Sequence, residues 1–418
     1  MKPFPILLLW LCAALSAHAT GPDTLRHWGV EAKFMPAREI AADSYMKLFL
    51  RGRDAASVGI KLIYSPLPTD SDAFAADYGY PTIGFGLRYD WNHSVTLRRD
   101  ADPAWGLLEP VSYTSHLGNA VGIYAEFARP LFRTRRWEAD YAFQTGIGYN
   151  RHPYNTYDNI DNELIGSHWM IYFNAGLHLT WRFADDWGLR AGVEFYHYSN
   201  GALDRPNKGA NAAGPVMALV YCPYFGPVAD RPRAAATASF TRYWYLDFTG
   251  GIAAKTMNED WQKTQFRTSP GAPRYRTDRF KLYTAWSAQA NLMYRYARRW
   301  ASGIGFDLFY GTYAAHIADM DRQDGYDLPH SPWSCGIAAR HVAFWHQFSA
   351  AMALGVYLYR EMGDNARKIE APYYEQIGIH YAFKHLLGLK MGLNVKAHRT
   401  KADYTEFVLG LPVRLRRH

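Results

Sequence analysis

The segment Ile83-Gly84-Phe85-Gly86-Leu87-Arg88-Tyr89-Asp90 alternates strictly. Ile83, Phe85, Leu87 and Tyr89 face one way, and Gly84, Gly86, Arg88 and Asp90 the other. Residues 304–310 and 377–383 behave similarly. A period of two predicts strands with one apolar face. Glycine and charge on the opposite face suit a strand with lipid outside and a crowded polar lumen inside. A soluble sandwich would also alternate, so loop lengths have to separate the two.

The same pattern predicts strands near 27–36, 55–65, 82–91, 118–128, 136–148, 168–182, 187–199 and 211–222. A second series runs near 241–256, 280–297, 301–312, 334–345, 348–360, 372–383, 388–397 and 403–414. Turns near 133–135, 184–186, 298–299, 346–347 and 384–385 are short. The connections 92–117, 149–167, 257–279 and 313–333 are long and polar. Such alternation belongs to outer-membrane barrels, with short periplasmic turns and long external loops; the 66–81 connection is an exception. The halves echo each other: Ile83-Gly-Phe-Gly-Leu-Arg-Tyr matches Ile304-Gly-Phe-Asp-Leu-Phe-Tyr, and Gly188-Leu-Arg-Ala-Gly matches Gly388-Leu-Lys-Met-Gly. Duplication accounts for this, although amphipathic strands also resemble one another by composition. The expected fold is an all-β transmembrane antiparallel barrel of the outer-membrane type. A single wider barrel of about sixteen strands is favoured, because duplicated hairpins extend a sheet readily and closure removes edges. Two tandem eight-stranded barrels are the alternative. A site-bearing half would cover 20–222, a linker 223–237, and a second half, read as a degenerate repeat, 238–418.

Composition narrows the class. The chain has 418 residues, of which 16% are aromatic and 20% charged, and a mean hydropathy of −0.30. No mature stretch reaches the roughly 18 apolar residues of a membrane helix, and 49% hydrophobic content is too high for disorder. Met1-Lys2, the apolar run 6–15 and Ala17-His18-Ala19 form a secretory signal peptide cleaved near Ala19. A lipoprotein signal at Cys12 is disfavoured by the bulky Trp10 and Leu11 before it. Cys222 and Cys335 then remain, read as free thiols although an oxidising compartment would allow pairing. The end Leu415-Arg416-Arg417-His418 lacks the terminal aromatic common in outer-membrane proteins.

Chemistry gathers at the end of the seventh strand. Odd positions from Trp187 to Phe195 are all apolar, and that lipid-facing stripe continues into His197 and Ser199. Polar groups there cost free energy unless partnered. Their spacing places them on one face roughly 6.6 Å apart, close enough for side chains to meet. A histidine in reach of a serine is the minimum for nucleophilic acyl transfer. Taken alone, an interfacial histidine beside a loop serine is the simpler reading.

The residues that follow, Asn200-Gly201-Ala202-Leu203-Asp204-Arg205-Pro206-Asn207-Lys208-Gly209-Ala210-Asn211, extend the signal. The run resembles the signature of the lipid A 3-O-deacylases, the PagL family of outer-membrane barrel esterases: His-x-Ser-Asn, five variable residues, Pro-Asn-x-Gly, then an acid. The resemblance covers the signature strongly and 27–222 loosely. Longer relatives of similar size are often called acyloxyacyl hydrolases. It implies Ser199 as nucleophile, His197 as general base, and Asn200 and Asn207 as oxyanion or loop support. The triad acid falls on Asn211, a departure: an amide orients an imidazole but does not stabilise the imidazolium by charge. Asp204 and Glu194 are substitutes to weigh, Glu194 having lumen parity. The implied activity is a serine esterase removing an ester-linked acyl chain from lipid A of lipopolysaccharide in the outer leaflet. The alternative is a non-catalytic barrel, a porin or structural protein, that keeps the motif as a relic.

Other constellations add less. The net charge of +8 suits anionic lipid phosphates or simply a basic surface. His398-Arg399-Thr400 matches the place of His197-Tyr198-Ser199 but lacks the rest of the motif. His341, His346 and His380 are too scattered for a metal site, and no cofactor is expected. The tract 149–157, rich in polar aromatics, reads as an external loop or as part of a substrate groove. Nothing beyond charge supports nucleic-acid binding.

Overall fold

The computed structural model describes residues 25–223, 239–363, 372–399 and 401–415. The expected leader 1–19 and residues 224–237 of the linker lie outside the described residues. Among the described residues, sixteen long antiparallel strands form two closed barrels of eight. The first comprises β1 (Trp28–Glu39), β2 (Asp54–Tyr64), β3 (Thr82–Trp91), β4 (Ala120–Arg133), β5 (Trp137–Asn150), β6 (Trp169–Arg182), β7 (Trp187–Ser199) and β8 (Ala210–Tyr221). The second comprises β9 (Tyr243–Lys255), β10 (Tyr283–Ala297), β11 (Trp300–Gly311), β12 (His330–Trp345), β13 (Phe348–Met362), β14 (Tyr373–Ala382), β15 (Lys390–His398) and β16 (Lys401–Arg414). Consecutive strands pair, and each barrel closes last on first, β8 on β1 and β16 on β9.

The expected single wide barrel is therefore corrected to two narrow ones. The reason lies in the lumen. Lys33 on β1 reaches Glu194 on β7 at 2.8 Å. Tyr198 on β7 reaches Asp90 on β3 at 2.7 Å. In the second barrel Tyr374 on β14 reaches Asp307 on β11 at 2.6 Å. Side chains meet across an interior only when it is narrow, and about eight strands leave room for side chains to fill it. Buried charges also need surrounding partners, since each costs several kcal/mol to desolvate. Lys61 accordingly lies 2.9 Å from Glu31 and 2.6 Å from Glu126.

The outside is apolar. Phe85, Ile123, Phe143, Ile147, Leu177, Val193 and Met217 are exposed, as lipid-facing positions should be. Rings gather at both strand ends, which explains the aromatic content. At the short-turn end of the first barrel Trp28 meets Tyr64 (5.1 Å) and Trp187 meets Tyr221 (5.1 Å). At the long-loop end Tyr149 meets Trp169 (5.2 Å). Amphipathic rings sit well at a membrane–water boundary.

The two barrels share a packing feature. On the sixth and seventh strands of the first barrel His178 Nε2 lies 3.2 Å from Glu194. At the same places in the second, His380 Nε2 lies 2.8 Å from Asn394. Gly192 and Gly392 give those rings room: an added Cβ would come within 2.7 Å and 2.6 Å of His178 and His380.

The barrels touch at both ends. At the short-turn end the 65–81 connection, which broke the expected alternation, carries helix α1 (Ala73–Tyr78). Its Tyr78 ring packs on Trp300 and Trp345 of the second barrel, and Asp72 lies 2.9 Å from His346. At the long-loop end Tyr154, from the aromatic tract, donates to Thr277 O and accepts from Gln265. Cys222 and Cys335 are not joined to each other.

Candidate active site

Strand β7 carries His197 and Ser199 to the long-loop end on its outward face. Its register fixes their neighbours. Asn211 on β8 stands directly opposite His197, and Phe173 on β6 opposes it from the other side. Ile171 opposes Ser199. His197, Ser199 and Asn211 are half-buried.

Nδ1 of His197 lies 2.8 Å from Oδ1 of Asn211. The amide orientation follows from its other contact: Asn211 Nδ2 donates to Gly209 O at 3.2 Å, leaving Oδ1 to accept. Nδ1 must therefore carry the ring proton, and Nε2 is left with its lone pair. Among the described residues no hydrogen bond joins His197 to Ser199. Such contacts often tighten only with substrate bound.

Asn211 is itself held from β1. Its backbone N–H donates to Glu39 Oε1 at 2.6 Å, and its carbonyl accepts from Ile40 N at 2.6 Å. Nothing near the motif signals Glu39, because the contact exists only once β8 closes on β1.

The loop 200–209 is tightly braced. Asn207 Oδ1 accepts the backbone N–H of Asn200 at 3.0 Å. The Asn200 side chain donates inward, to Ser167 Oγ at 3.1 Å and Asp204 O at 3.2 Å. It is buried and stiffens the loop from within. Ser167 was not visible as a partner in the sequence. The second barrel adds a clamp: Arg205 Nη2 and Nε donate to Thr256 O at 2.9 and 3.2 Å, and Thr256 N donates to Ala202 O at 2.8 Å. Burial raises the Asp204 carboxyl to about 6.

Neither weighed carboxylate reaches His197. Asp204 accepts from Arg205 N at 2.8 Å, and Glu194 is enclosed by Lys33, His178 and Asn174 in the lumen. His398 also faces a lumen, with Nε2 2.7 Å from the Tyr357 hydroxyl. The equivalence of Gly192 with Gly392 aligns position 398 with 198, not 197, so the apparent echo of the motif slips by one residue and changes face. Thr400 lies outside the described residues.

Residues 83–219 match the family model described as lipid A 3-O-deacylase (PagL). Residues 244–416 match the one described as acyloxyacyl hydrolase, C-terminal domain. Among solved structures, the outer membrane enzyme PagL is 14% identical, the match covering 46% of this chain and 97% of that one with a TM-score of 0.27. An outer membrane channel from Pseudomonas putida is 8% identical over 93% of this chain and 96% of its own, with a TM-score of 0.20. A mutant porin of Rh. blastica is 7% identical over 92% and 99%, with a TM-score of 0.16. No curated protein matches the chain.

Proposed function

The chain belongs to the PagL family of outer-membrane lipid A deacylases, which are ester hydrolases, and from that membership we propose how its site works. Ser199 Oγ attacks the carbonyl carbon of an ester-linked acyl chain of lipid A, while His197 Nε2 takes the hydroxyl proton. The tetrahedral intermediate collapses, and the sugar oxygen leaves with the proton from His197. The acyl chain is now esterified to Ser199. A water molecule, deprotonated by His197, attacks that ester and releases the fatty acid, and the proton returns to Ser199. Asn211 holds Nδ1–H and so keeps Nε2 as the basic nitrogen throughout. Asn200 braces the loop; Asn207, its oxygen committed to Asn200 N–H, offers its amide protons to the oxyanion.

The observation that carries this reading is the 2.8 Å contact of His197 with Asn211 on the outward face. A histidine oriented by a neutral amide suffices in other nucleophilic hydrolases. The outward placement supports it further. External loops mark the outer leaflet, so an ester of lipopolysaccharide reaches Ser199 without leaving the membrane. The crossed ion pairs of the first lumen argue against a porin. Mass spectrometry of lipid A from cells expressing wild type, Ser199→Ala or His197→Ala tests the proposal. Loss of one acyl chain in wild type alone is expected; identical acylation in all three defeats it.

A further inference from the structure

An outward line of rings descends from the candidate site. Phe173 pairs directly with His197. Its ring lies 6.5 Å from Phe143 on β5, and Phe143 pairs directly with Phe127 on β4. The Phe127 ring lies 5.5 Å from Trp345, at the short-turn end of the second barrel. The line crosses three strand spacings of about 4.8 Å, or about 14 Å. Its upper end touches the second barrel too. A Cβ built on Gly201 would lie 3.0 Å from Thr405 Cβ on β16 and 3.3 Å from Ile171 Cδ1 beside Ser199. A line that meets the second barrel at both ends faces it. Between those ends Phe173 and Phe143 are 39% and 50% exposed, so the barrels do not close over them.

We propose that the two barrels enclose the acyl-chain cleft of the enzyme, the second barrel forming its far wall. The chain whose ester carbonyl sits at Ser199 lies along Phe173 and Phe143, and Trp345 against Phe127 forms the floor that limits its length. The inference rests on Ser199 as the nucleophile. The occupant is an acyl chain because the line is aromatic, continuous with the ester-cleaving pair, and directed from the boundary toward the hydrocarbon of the bilayer. It gives the second barrel a part in specificity.

The test uses the full-length protein in detergent micelles with p-nitrophenyl butyrate, laurate and palmitate. Trp345→Ala removes the floor from the second barrel, far from Ser199. The palmitate-to-laurate ratio of kcat/KM is expected to rise about tenfold, the lower end of what a single methylene discriminates in a hydrophobic pocket. Phe143→Trp narrows the cleft, and the palmitate-to-butyrate ratio is expected to fall by a similar factor, about tenfold. If Trp345→Ala loses its heat-modifiable gel shift, Trp345→Leu carries the test instead. Ratios equal to wild type in both positions overturn the cleft while leaving the esterase reading intact. A shift with Phe143→Trp but none at Trp345 confines the chain to the first barrel and overturns the second barrel's part. Wild type inactive on all three esters removes the esterase reading and the cleft with it.

Discussion

Gly209 lies so close beneath the His197 ring that a Cβ there would come within 2.5 Å of Cε1 and 3.2 Å of Nδ1. Its φ of 79° is also in the left-handed region, which costs an L-residue roughly 1–2 kcal/mol. Gly209→Ala therefore pushes the imidazole off Asn211. Deacylation is expected to fall by up to about 10²-fold, the cost of misplacing a catalytic group by roughly 1 Å, with heat-modifiable mobility retained. Undiminished lipid A deacylation in that variant would show that the ring position is not needed.

Asn211→Ala removes orientation but leaves the proposed nucleophile, so activity should drop by at most about 10⁴-fold, the loss seen when a triad's orienting member goes, and by less than in Ser199→Ala. Asn211→Asp should keep or raise it, because a carboxylate also stabilises the imidazolium. Initial rates on a single ester rank the three variants; an Asp variant slower than the Ala variant contradicts the assignment.

The Arg205 clamp is a contact between barrels. Arg205 is buried and donates to Thr256 O. Arg205→Met keeps bulk and deletes those bonds, leaving the carbonyl short of its donors at a cost of about 1–3 kcal/mol. Faster hydrogen exchange across 200–209 is expected, with exchange along the first barrel's strands unchanged.

Asp204 gives the loop a pH dependence. Burial is the main cause of its raised carboxyl, from 3.8 to about 6. The folded loop thus holds a proton that the opened loop releases. Proton uptake by the closed form makes closure most favourable near pH 4; it weakens as pH rises to about 6 and levels off above. Proteolytic nicking within 200–209 should be slower at pH 5 than at pH 7, and Asp204→Asn should reduce the difference. An undiminished difference in Asp204→Asn assigns it to other groups.

In the lumen, Glu194 accepts from Lys33, His178 and Asn174. Glu194→Ala strands a buried ammonium, and breaking such a pair by removing one partner costs about 3–5 kcal/mol. The gel-shift temperature of the variant should fall measurably, and Lys33→Met added to it should recover part of the loss.

Much of the site was legible because it is local. His197, Ser199 and Asn211 lie within one hairpin, so strand parity gives the outward face and adjacent register sets Asn211 against His197. Parity also exposed the lipid-facing stripe. Barrel closure was not legible: whether β8 pairs with β1 or with a ninth strand depends on cross-lumen partners such as Tyr198 and Asp90, 108 positions apart. Glu39, Ser167 and Thr256 were hidden for the same reason, since each meets the motif only after closure or docking. The 66–81 connection looked anomalous as a turn because its helix serves the other barrel. The His398 echo misled because repeated glycines survive a one-residue slip by eye, whereas a strand does not.

The Thr256 clamp also makes the candidate site depend on the second barrel. In a chain cut before β9, strands β1 to β8 would still carry His197, Ser199 and Asn211, but the loop 200–209 would lack Thr256 O for Arg205 and Thr256 N for Ala202. The loop beside the candidate residues therefore has all its supports only when both barrels are folded and docked.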